Sequence, residues 1–193
     1  FLYSLYGNTG GPVFVIVENE SRALDVYDSI KYFLPQDSYI YPADDINFED
    51  FQDVNQTGKA KRLEVLKLLK DGKAPLVVTS LEAMNRRIIS PNLWEELELR
   101  IDMDSDIDLH LLGQRLLALG YERVQTIDSK GQFAIRGGIV DIYSLDASQP
   151  YRIELFDSEV DSIRTFNILD QRSMDNRDRI TISPADDILI KKD

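Results

Sequence analysis

The sequence contains no cysteine and a single histidine, His110, among its 193 residues. The lack of cysteine excludes a disulfide scaffold, a thiol nucleophile and a cysteine-ligated zinc site, and it fits a reducing compartment. A lone histidine argues against a zinc centre or a catalytic triad built around it. From these residue types we predict no catalytic residue, no metal and no cofactor.

Long apolar runs are also missing. The longest, such as PVFVIV at residues 12–17, fall far short of the roughly 18 to 20 residues that cross a bilayer, and no basic segment followed by a hydrophobic signal opens the chain. Because 43% of the residues are hydrophobic, a sizeable core can form. We expect a soluble, cytoplasmic protein without membrane contact. The start at Phe1 and the end in LIKKD are interpreted as an excerpt from a longer protein.

Basic residues are few. There are 22 lysines and arginines against 34 acidic residues, which gives a formal net charge of -12. Such a surface repels phosphate backbones unless a basic patch is segregated on one face. We therefore expect little direct DNA binding by this stretch of chain.

The first region alternates short apolar runs with amphipathic stretches. PVFVIV, SYIYPA and PLVVTS are predicted strands, and the stretches that follow them are predicted helices, the one in AKRLEVLKLLKDG ending at Gly72. Continuous apolar runs such as PLVV suit strands buried on both faces of a parallel sheet. The pattern predicts an open parallel-sheet α/β sandwich, with the glycine-rich YGNTGGPV as a surface loop before its first strand.

The second region has a different character. DSDIDLHLLGQRLLALGY predicts one amphipathic helix that starts near Asp106 or Asp108, carries a leucine stripe and ends at Gly120. RVQTI, GQFAIRGGIVDIY, PYRIELF and VDSIRTFNI are predicted strands, separated by turn-prone segments. We predict a smaller α+β domain, an antiparallel meander with one main helix. The boundary is expected near residues 95–104.

Two glycines interrupt the apolar strand GQFAIRGGIVDIY. Before them the apolar residues occupy odd positions, and after them even positions, so the alternation slips by one. We interpret the slip as a β-bulge that restores the core face. Alternation then places Arg136 on the solvent side, and it places Arg152 and Phe156 together on the polar side of the next strand.

Two segments resemble ligand-binding motifs only weakly. QTGKAKR at residues 56–62 lacks the glycine and the serine or threonine of a phosphate loop at the required positions, Asp53 and Ala60. ADDINFEDFQD is acidic but lacks calcium-loop spacing, so a solvated loop is the favoured interpretation. Neither segment predicts a cofactor.

Arg136, Arg152 and Phe156 are the candidate binding residues. Arginine and aromatic residues on a sheet surface are enriched at interface hot spots. The alternative is that Arg152 pairs with a neighbouring carboxylate and Phe156 is an ordinary half-exposed residue. The residue pattern alone leaves both interpretations open.

The segment GQFAIRGGIVDIYSLDASQPYRIELFDSEVDSIRTFNILDQRS resembles the bacterial transcription-repair coupling factors (Mfd) in the region that they share with the nucleotide-excision repair protein UvrB. LGYERV, ISPAD, VTSLEAMNRRI and YPADD fit the same family in order, so the resemblance covers nearly the whole chain. UvrB itself resembles the chain less well, since its strand reads more like FRVRGDVVEI. The short acidic stretch after YPADD also cannot supply UvrB's long aromatic hairpin.

The resemblance implies three parts. Residues 1–97 would be a degenerate helicase-like α/β domain without ATP binding, residues 98–185 a domain that binds UvrA, and residues 186–193 the start of a segment returning to the first domain. It also implies that Arg136, Arg152 and Phe156 contact UvrA. RNA polymerase and DNA would be partners of the full-length protein, an ATP-dependent DNA translocase, through parts not represented here.

The favoured hypothesis is a non-catalytic adaptor module that binds UvrA through a UvrB-like surface and recruits it to stalled RNA polymerase. One alternative is a fragment of UvrB or a related helicase that binds ATP and DNA. Another is a purely structural domain without a partner. The three differ in whether this chain hydrolyses ATP, and in whether charge reversal on the meander changes binding.

Overall fold

The structure is a computed structural model that describes residues 2–43 and 58–187. The chain is a mixed α/β protein, as predicted, and divides into two compact units, Phe1–Ile88 and Ile89–Asp193. No helix in the described ranges is long and apolar enough to span a membrane. Each unit has its own buried core.

The first unit is built on three parallel strands in the order β1-β3-β2. Its described elements are α1 (Leu2–Thr9), β1 (Val13–Val17), α2 (Glu20–Phe33), β2 (Ser38–Tyr41), α3 (Gly58–Lys70), β3 (Leu76–Ser80) and α4 (Leu81–Met84). All five residues of the central strand β3 are buried, which is why its sequence reads as a continuous apolar run. The predicted alternation of strands and helices is confirmed here.

Helices cover this sheet through apolar contacts. In one core cluster Ala23 of α2 packs with Leu76 and Val78 of β3. In another, Val65 of α3 packs with Val77 of the same strand. Because neighbouring residues of a strand point to opposite faces, these two clusters lie on opposite sides of β3.

The predicted surface loop YGNTGGPV is wrong over residues 6–9, which belong to α1. Tyr6 anchors this helix, because its hydroxyl donates to Ala74 O at 2.7 Å and its ring packs against the core. Gly10 has a φ of +65°, as glycine commonly does just after a helix. Of QTGKAKR, residues 58–62 form the start of α3, whereas residues 56–57 and most of ADDINFEDFQD lie outside the described residues.

The second unit contains a six-stranded sheet in the order β10-β9-β8-β7-β6-β5 and a separate antiparallel pair, β11-β4. Its elements are α5 (Pro91–Leu97), β4 (Leu99–Asp102), α6 (Leu109–Ala118), β5 (Glu122–Arg123), β6 (Gln132–Arg136), β7 (Ile139–Ile142), β8 (Tyr151–Phe156), β9 (Glu159–Phe166), β10 (Ser173–Asn176) and β11 (Arg179–Ile182). Strands β6 to β10 are antiparallel neighbours, so the predicted meander is confirmed.

The predicted strand RVQTI is wrong beyond its first residue. Only Glu122 and Arg123 form β5, which runs parallel to β6. After this strand the chain turns inward and buries Ile127 against Ala134 and Phe166. The β4–β11 pair was not predicted, because its strands are distant in sequence and only four residues long.

The predicted helix is α6. The Asp108 carboxylate caps it by accepting hydrogen bonds from His110 N at 2.8 Å and Leu111 N at 3.0 Å. Leu112 and Leu116 are buried in the main core. This core also contains the inward residues of β6 to β9 and those of β4 and β11, so α6 covers one face of the six-stranded sheet.

The units divide before α5, whereas the predicted domain boundary lies after it, at 97/98. Ile89 N donates to Asp187 O at 3.2 Å, which ties the segment before α5 to the end of the second unit. Of the predicted return segment, residues 186–193, only residues 186 and 187 are described.

Candidate protein-interaction site

Arg136 is the last residue of β6 and pairs with Ile139, the first residue of β7, across a two-residue turn. Gly137 and Gly138 form this turn, so the predicted β-bulge within one long strand is wrong. Gly137 has a φ of +59° and Gly138 has no positive φ, the pattern of a type II′ hairpin turn. The turn thus holds Arg136 at the end of its hairpin.

The slip in alternation has a different cause from the one predicted. Across the turn Phe133 faces Ile142 and Ile135 faces Val140. A two-residue hairpin pairs an odd-numbered residue with an even-numbered one, so a continuous core face changes parity at the turn without any inserted residue. The parity change alone did not distinguish a hairpin from a bulge.

Gly138 is also required by close backbone packing. Its carbonyl accepts a hydrogen bond from Leu155 N at 2.8 Å. A Cβ added to Gly138 would lie 2.8 Å from Leu155 O, a distance that real Cβ atoms do not adopt. The glycine pair therefore combines a turn conformation with a close contact to β8.

We call the side of the six-stranded sheet that carries Arg136, Asp141, Arg152 and Phe156 the arginine face. The opposite side holds Phe133, Val140 and Ile153 in the core with α6. Strand alternation therefore places the arginine face away from α6. This confirms the predicted division of β8 into an apolar side and a polar side.

Asp141 is the centre of the arginine face. It is only 1% exposed, and two arginines bind its carboxylate. Arg152 does so in a bidentate manner, with Nε 2.7 Å from Oδ1 and Nη2 3.0 Å from Oδ2. Arg136 Nη2 adds a third contact, 2.5 Å from Oδ2. A carboxylate buried to this extent requires such pairing, because desolvation of an unpaired charge is costly.

Arg152 is largely enclosed, with 15% of its side chain exposed. Besides Asp141 it donates from Nη1 to Gln171 O at 3.2 Å and from Nη2 to Gln171 Oε1 at 3.3 Å. Its guanidinium carbon lies 4.3 Å from the centre of the buried Phe166 ring. The hydrogen bonds to Asp141 are the main cause that raises the pKa of Arg152 above its ordinary value. Arg152 therefore connects β8 with Asp141 of β7, with Phe166 at the end of β9 and with Gln171 in the segment that follows β9.

Arg136 and Phe156 are the accessible members of the arginine face. The Arg136 side chain is 43% exposed, and its Nη1 donates to Gln125 O at 2.7 Å. Phe156 is 79% exposed and lies four residues along β8 from Arg152, about 13 Å away at the usual rise of a strand. The face therefore offers a cation and an aromatic ring to solvent.

The structure brings two of the three predicted residues together, because Arg136 and Arg152 share one carboxylate. Arg152 also pairs with the carboxylate of Asp141, as the alternative interpretation of the sequence predicted. Sequence reasoning missed Asp141 and Gln171. Asp141 had a detectable signal, since it is a charged residue between Val140 and Ile142 in an apolar strand.

The accessible residues of the arginine face are of the types enriched at protein interfaces. Exposed arginine and aromatic side chains suit a partner with carboxylates and an apolar recess. In the described residues no three histidine, aspartate or glutamate side chains are grouped so as to hold a metal ion.

The region that contains the arginine face matches a known protein family. The family model described as the UvrB interaction domain matches residues 99–187. This range contains β4 to β11 and all four residues that define the arginine face.

Relatives extend the similarity to both units. The transcription-repair-coupling factor of Bacillus subtilis (strain 168) is 38% identical over 192 residues, which is 99% of this chain and 16% of that protein. The same factor of Staphylococcus haemolyticus (strain JCSC1435) is 36% identical over 166 residues, 86% of this chain and 14% of that protein. That of Staphylococcus aureus (strain bovine RF122 / ET3-1) is 33% identical over 166 residues, again 86% and 14%.

These relatives are several times longer than the present chain, which spans 14% to 16% of their length. The resemblance seen in the sequence is thereby confirmed. The chain belongs to the transcription-repair-coupling factor (Mfd) family and contains its UvrB interaction domain.

Proposed function

We propose that this chain is a non-catalytic adaptor that binds UvrA through the arginine face. In the full-length protein it would recruit UvrA to RNA polymerase stalled at DNA damage. The observation that carries the proposal is the cluster of Arg136 and Arg152 on buried Asp141, with Phe156 exposed beside it, inside the region matched by the UvrB interaction domain. A UvrB-like surface would dock at the site on UvrA that UvrB uses.

The two arginines have different roles in this proposal. Arg152 donates a hydrogen bond to each of the two Asp141 oxygens, so Asp141 would stay paired even without Arg136. Arg136 can therefore leave Asp141 and pair with a carboxylate of UvrA without stranding a buried charge. Arg136 and Phe156 would contact the partner most directly, and Arg152 would contribute its exposed edge while holding the face in shape.

Charge supports the choice of partner surface. The chain has a net charge of -12, yet on the arginine face two arginines surround the carboxylate of Asp141, and Glu154 of β8 is itself paired with Arg164 at 3.8 Å. A partner surface that carries carboxylates would be attracted to this cationic site. The acidic remainder of the chain would repel the same partner surface. Phe156 would fill an apolar recess next to these carboxylates.

For the remaining parts we retain the domain scheme implied by the family. Residues 1–97 would be a degenerate helicase-like domain without ATP binding, and the three parallel strands of the first unit support this. Residues 98–185 would bind UvrA, and residues 186–193 would begin a return segment. RNA polymerase and DNA would bind elsewhere in the full-length protein.

Calorimetric titration with UvrA tests the proposal, using the parent chain and the variants Phe156→Ala and Arg136→Glu. We expect Phe156→Ala to weaken binding at least tenfold and Arg136→Glu to weaken it further, because both act at accessible positions of a hot spot. Leu117→Ala is the matched control, since Leu117 is 53% exposed on α6, which covers the other face of the sheet. Circular dichroism of each variant confirms that it is folded.

Parental affinity for UvrA in both arginine-face variants would overturn the assignment of this face. DNA-dependent ATP hydrolysis by the chain would instead favour the helicase alternative. Arg152→Glu is unsuitable as a test of contact, because it would place a second carboxylate against buried Asp141 and unfold the face.

A further inference from the structure

The loop between β9 and β10, residues 167–172, is closed by its own hydrogen bonds. Asn167 N donates to Arg172 O at 2.9 Å, and Gln171 N donates to Asn167 O at 2.8 Å. The Asn167 side chain accepts from Leu169 N at 2.8 Å, and Gln171 Nε2 donates to Ile168 O at 2.9 Å. These bonds join both ends of the loop and its interior, so they limit its conformational freedom.

The arginine face fixes the position of this loop. Gln171 receives two hydrogen bonds from Arg152, one on its carbonyl and one on its side-chain oxygen. Phe166, the residue before the loop, is buried beneath the Arg152 guanidinium. The loop thus lies on the side of the sheet that carries Arg152, and the same arginine holds both Asp141 and the loop.

Leu169 is at the tip of this loop and is 91% exposed. In the described part of the chain no large apolar side chain is more exposed. A single exposed leucine is ordinary on a protein surface. A leucine presented by a self-bonded loop that is anchored to a proposed interface is different, because little ordering entropy remains to be lost when a partner covers it.

The loop and Phe156 lie at opposite ends of β8. Phe166 N donates to Pro150 O at 3.1 Å, which places the start of the loop beside the beginning of β8, whereas Phe156 ends that strand. The strand is six residues long, about 20 Å at 3.3 Å per residue. A standard protein interface of about 800 Å² per partner covers both ends.

We propose that Leu169 is a second apolar anchor for UvrA, placed on the other side of the arginine pair from Phe156. The inference rests on the proposed function of the arginine face. The complementary surface of UvrA would have an acidic centre between two apolar recesses. Arg152 is a positioning residue for this anchor, since it holds the loop through Gln171.

The test is calorimetric titration of the full 193-residue chain with UvrA. We expect Leu169→Ala to weaken binding about tenfold, the usual effect of removing one interface anchor. Its denaturation midpoint should stay at the parental value, because an exposed leucine contributes little to folding. Leu117→Ala on α6 is the control and should bind as the parent does.

A second variant tests the positioning role. Gln171→Ala removes the side-chain bonds to Arg152 and Ile168, so the loop loses part of its support. We expect Leu169→Ala to cost less affinity in the Gln171→Ala background than in the parent. Equal losses in both backgrounds would overturn the claim that the hydrogen bonds of the Gln171 side chain position Leu169.

The remaining outcomes separate this inference from the function on which it rests. If the parent binds UvrA and Phe156→Ala weakens binding but Leu169→Ala does not, the second anchor is wrong and the proposed function stands. If the parent does not bind UvrA, both are wrong. Weakening by both variants, with Leu117→Ala unchanged, supports both.

Discussion

At the scale of single residues, Asp141 organises the second unit's exposed sheet face. It receives three hydrogen bonds from two arginines while it is 1% exposed. The bidentate pair with Arg152 offsets most of the cost of burying this carboxylate, and Arg136 adds a further hydrogen bond. Asp141 therefore holds the proposed binding face in shape and also contributes to the stability of the fold.

Removal of the carboxylate should destabilise the fold. For Asp141→Ala we expect the free energy of unfolding to fall by about 3 kcal/mol, because Arg152 is left largely buried without its partner. Urea denaturation measures the change. Asp161→Ala, at an exposed position of β9, is the control and should change it by less than about 0.5 kcal/mol. Equal, small effects of the two substitutions would contradict the central role of Asp141.

Substitution of Arg152 should lower the free energy of unfolding more than substitution of Arg136 does. Arg136→Gln leaves the bidentate pair intact, so we expect a loss of about 1 kcal/mol or less. Arg152→Gln removes the bidentate pair, the bonds to Gln171 and the contact with Phe166, so we expect a loss of about 3 kcal/mol. Urea denaturation of both variants checks the order, and a larger loss for Arg136→Gln would refute it.

Much of the site could be predicted at this scale. Period-two alternation located Arg152 and Phe156 on the polar side of β8, and Phe156 is indeed exposed. Alternation cannot reveal how far a residue is enclosed by distant parts of the chain. The enclosure of Arg152 depends on Phe166 and Gln171, which reach it through tertiary folding.

At the scale of elements, the hairpin of β6 and β7 determines where Arg136 is presented. The sequence contained both signals of a hairpin, a glycine pair and a parity change. It did not show that β8 packs against the turn, which is why Gly138 in particular must be glycine. A bulge and a hairpin satisfy the same local pattern, and only strand pairing distinguishes them.

The two glycines should respond differently to substitution. Gly137→Ala meets no atom within 4 Å and should cost about 1 kcal/mol, from its positive φ alone. Gly138→Ala forces its Cβ against Leu155 O and should cost roughly 2 to 3 kcal/mol. Thermal denaturation compares them. Equal costs would mean that the β7–β8 backbone relaxes freely.

Helix α6 should show a pH-dependent cap. Backbone hydrogen bonds from Leu111 and His110 hold the pKa of Asp108 below its ordinary value. A lowered folded pKa means that the cap stabilises above about pH 4 and is lost as the pH falls through the folded value. Asp108→Ala should therefore be less stable than the parent at pH 7. The difference should shrink as the pH falls below about 4. Urea denaturation at a series of pH values measures it, and a difference that stays constant would rule out this cap.

Strand and helix prediction succeeded where a pattern was long and periodic, as in α6 and β8. It failed for the β4–β11 pair, whose strands are four residues each and far apart in the chain. Short segments carry too little periodicity to be recognised, and their pairing is decided by the core that they cover.

At the scale of the whole molecule, the chain combines two compact units with separate cores. The proposed contacts with UvrA all lie in the second unit. Composition and charge were sufficient to argue against direct DNA binding, while the partner could be inferred only from family resemblance. The exposed arginine and phenylalanine indicate the chemistry of a partner surface, and membership of the family indicates which protein to test.

The second unit should suffice for binding. A chain of residues 89–193 is expected to bind UvrA within about twofold of the parent affinity, because a compact unit with its own core folds independently. Calorimetry with both chains gives the comparison. A folded second unit that does not bind would show that the first unit contributes contacts.

The most direct test of the account is amide hydrogen exchange of the 193-residue chain with and without saturating UvrA. Exchange reports local protection along the chain. We predict that saturating UvrA slows amide exchange of this chain in three segments: the turn at 137–138, the end of β8 around Phe156 and the 167–172 loop. Exchange in α6 should not change. Unchanged exchange across these three segments, or slowing confined to the first unit, would contradict the claim that the arginine face binds UvrA.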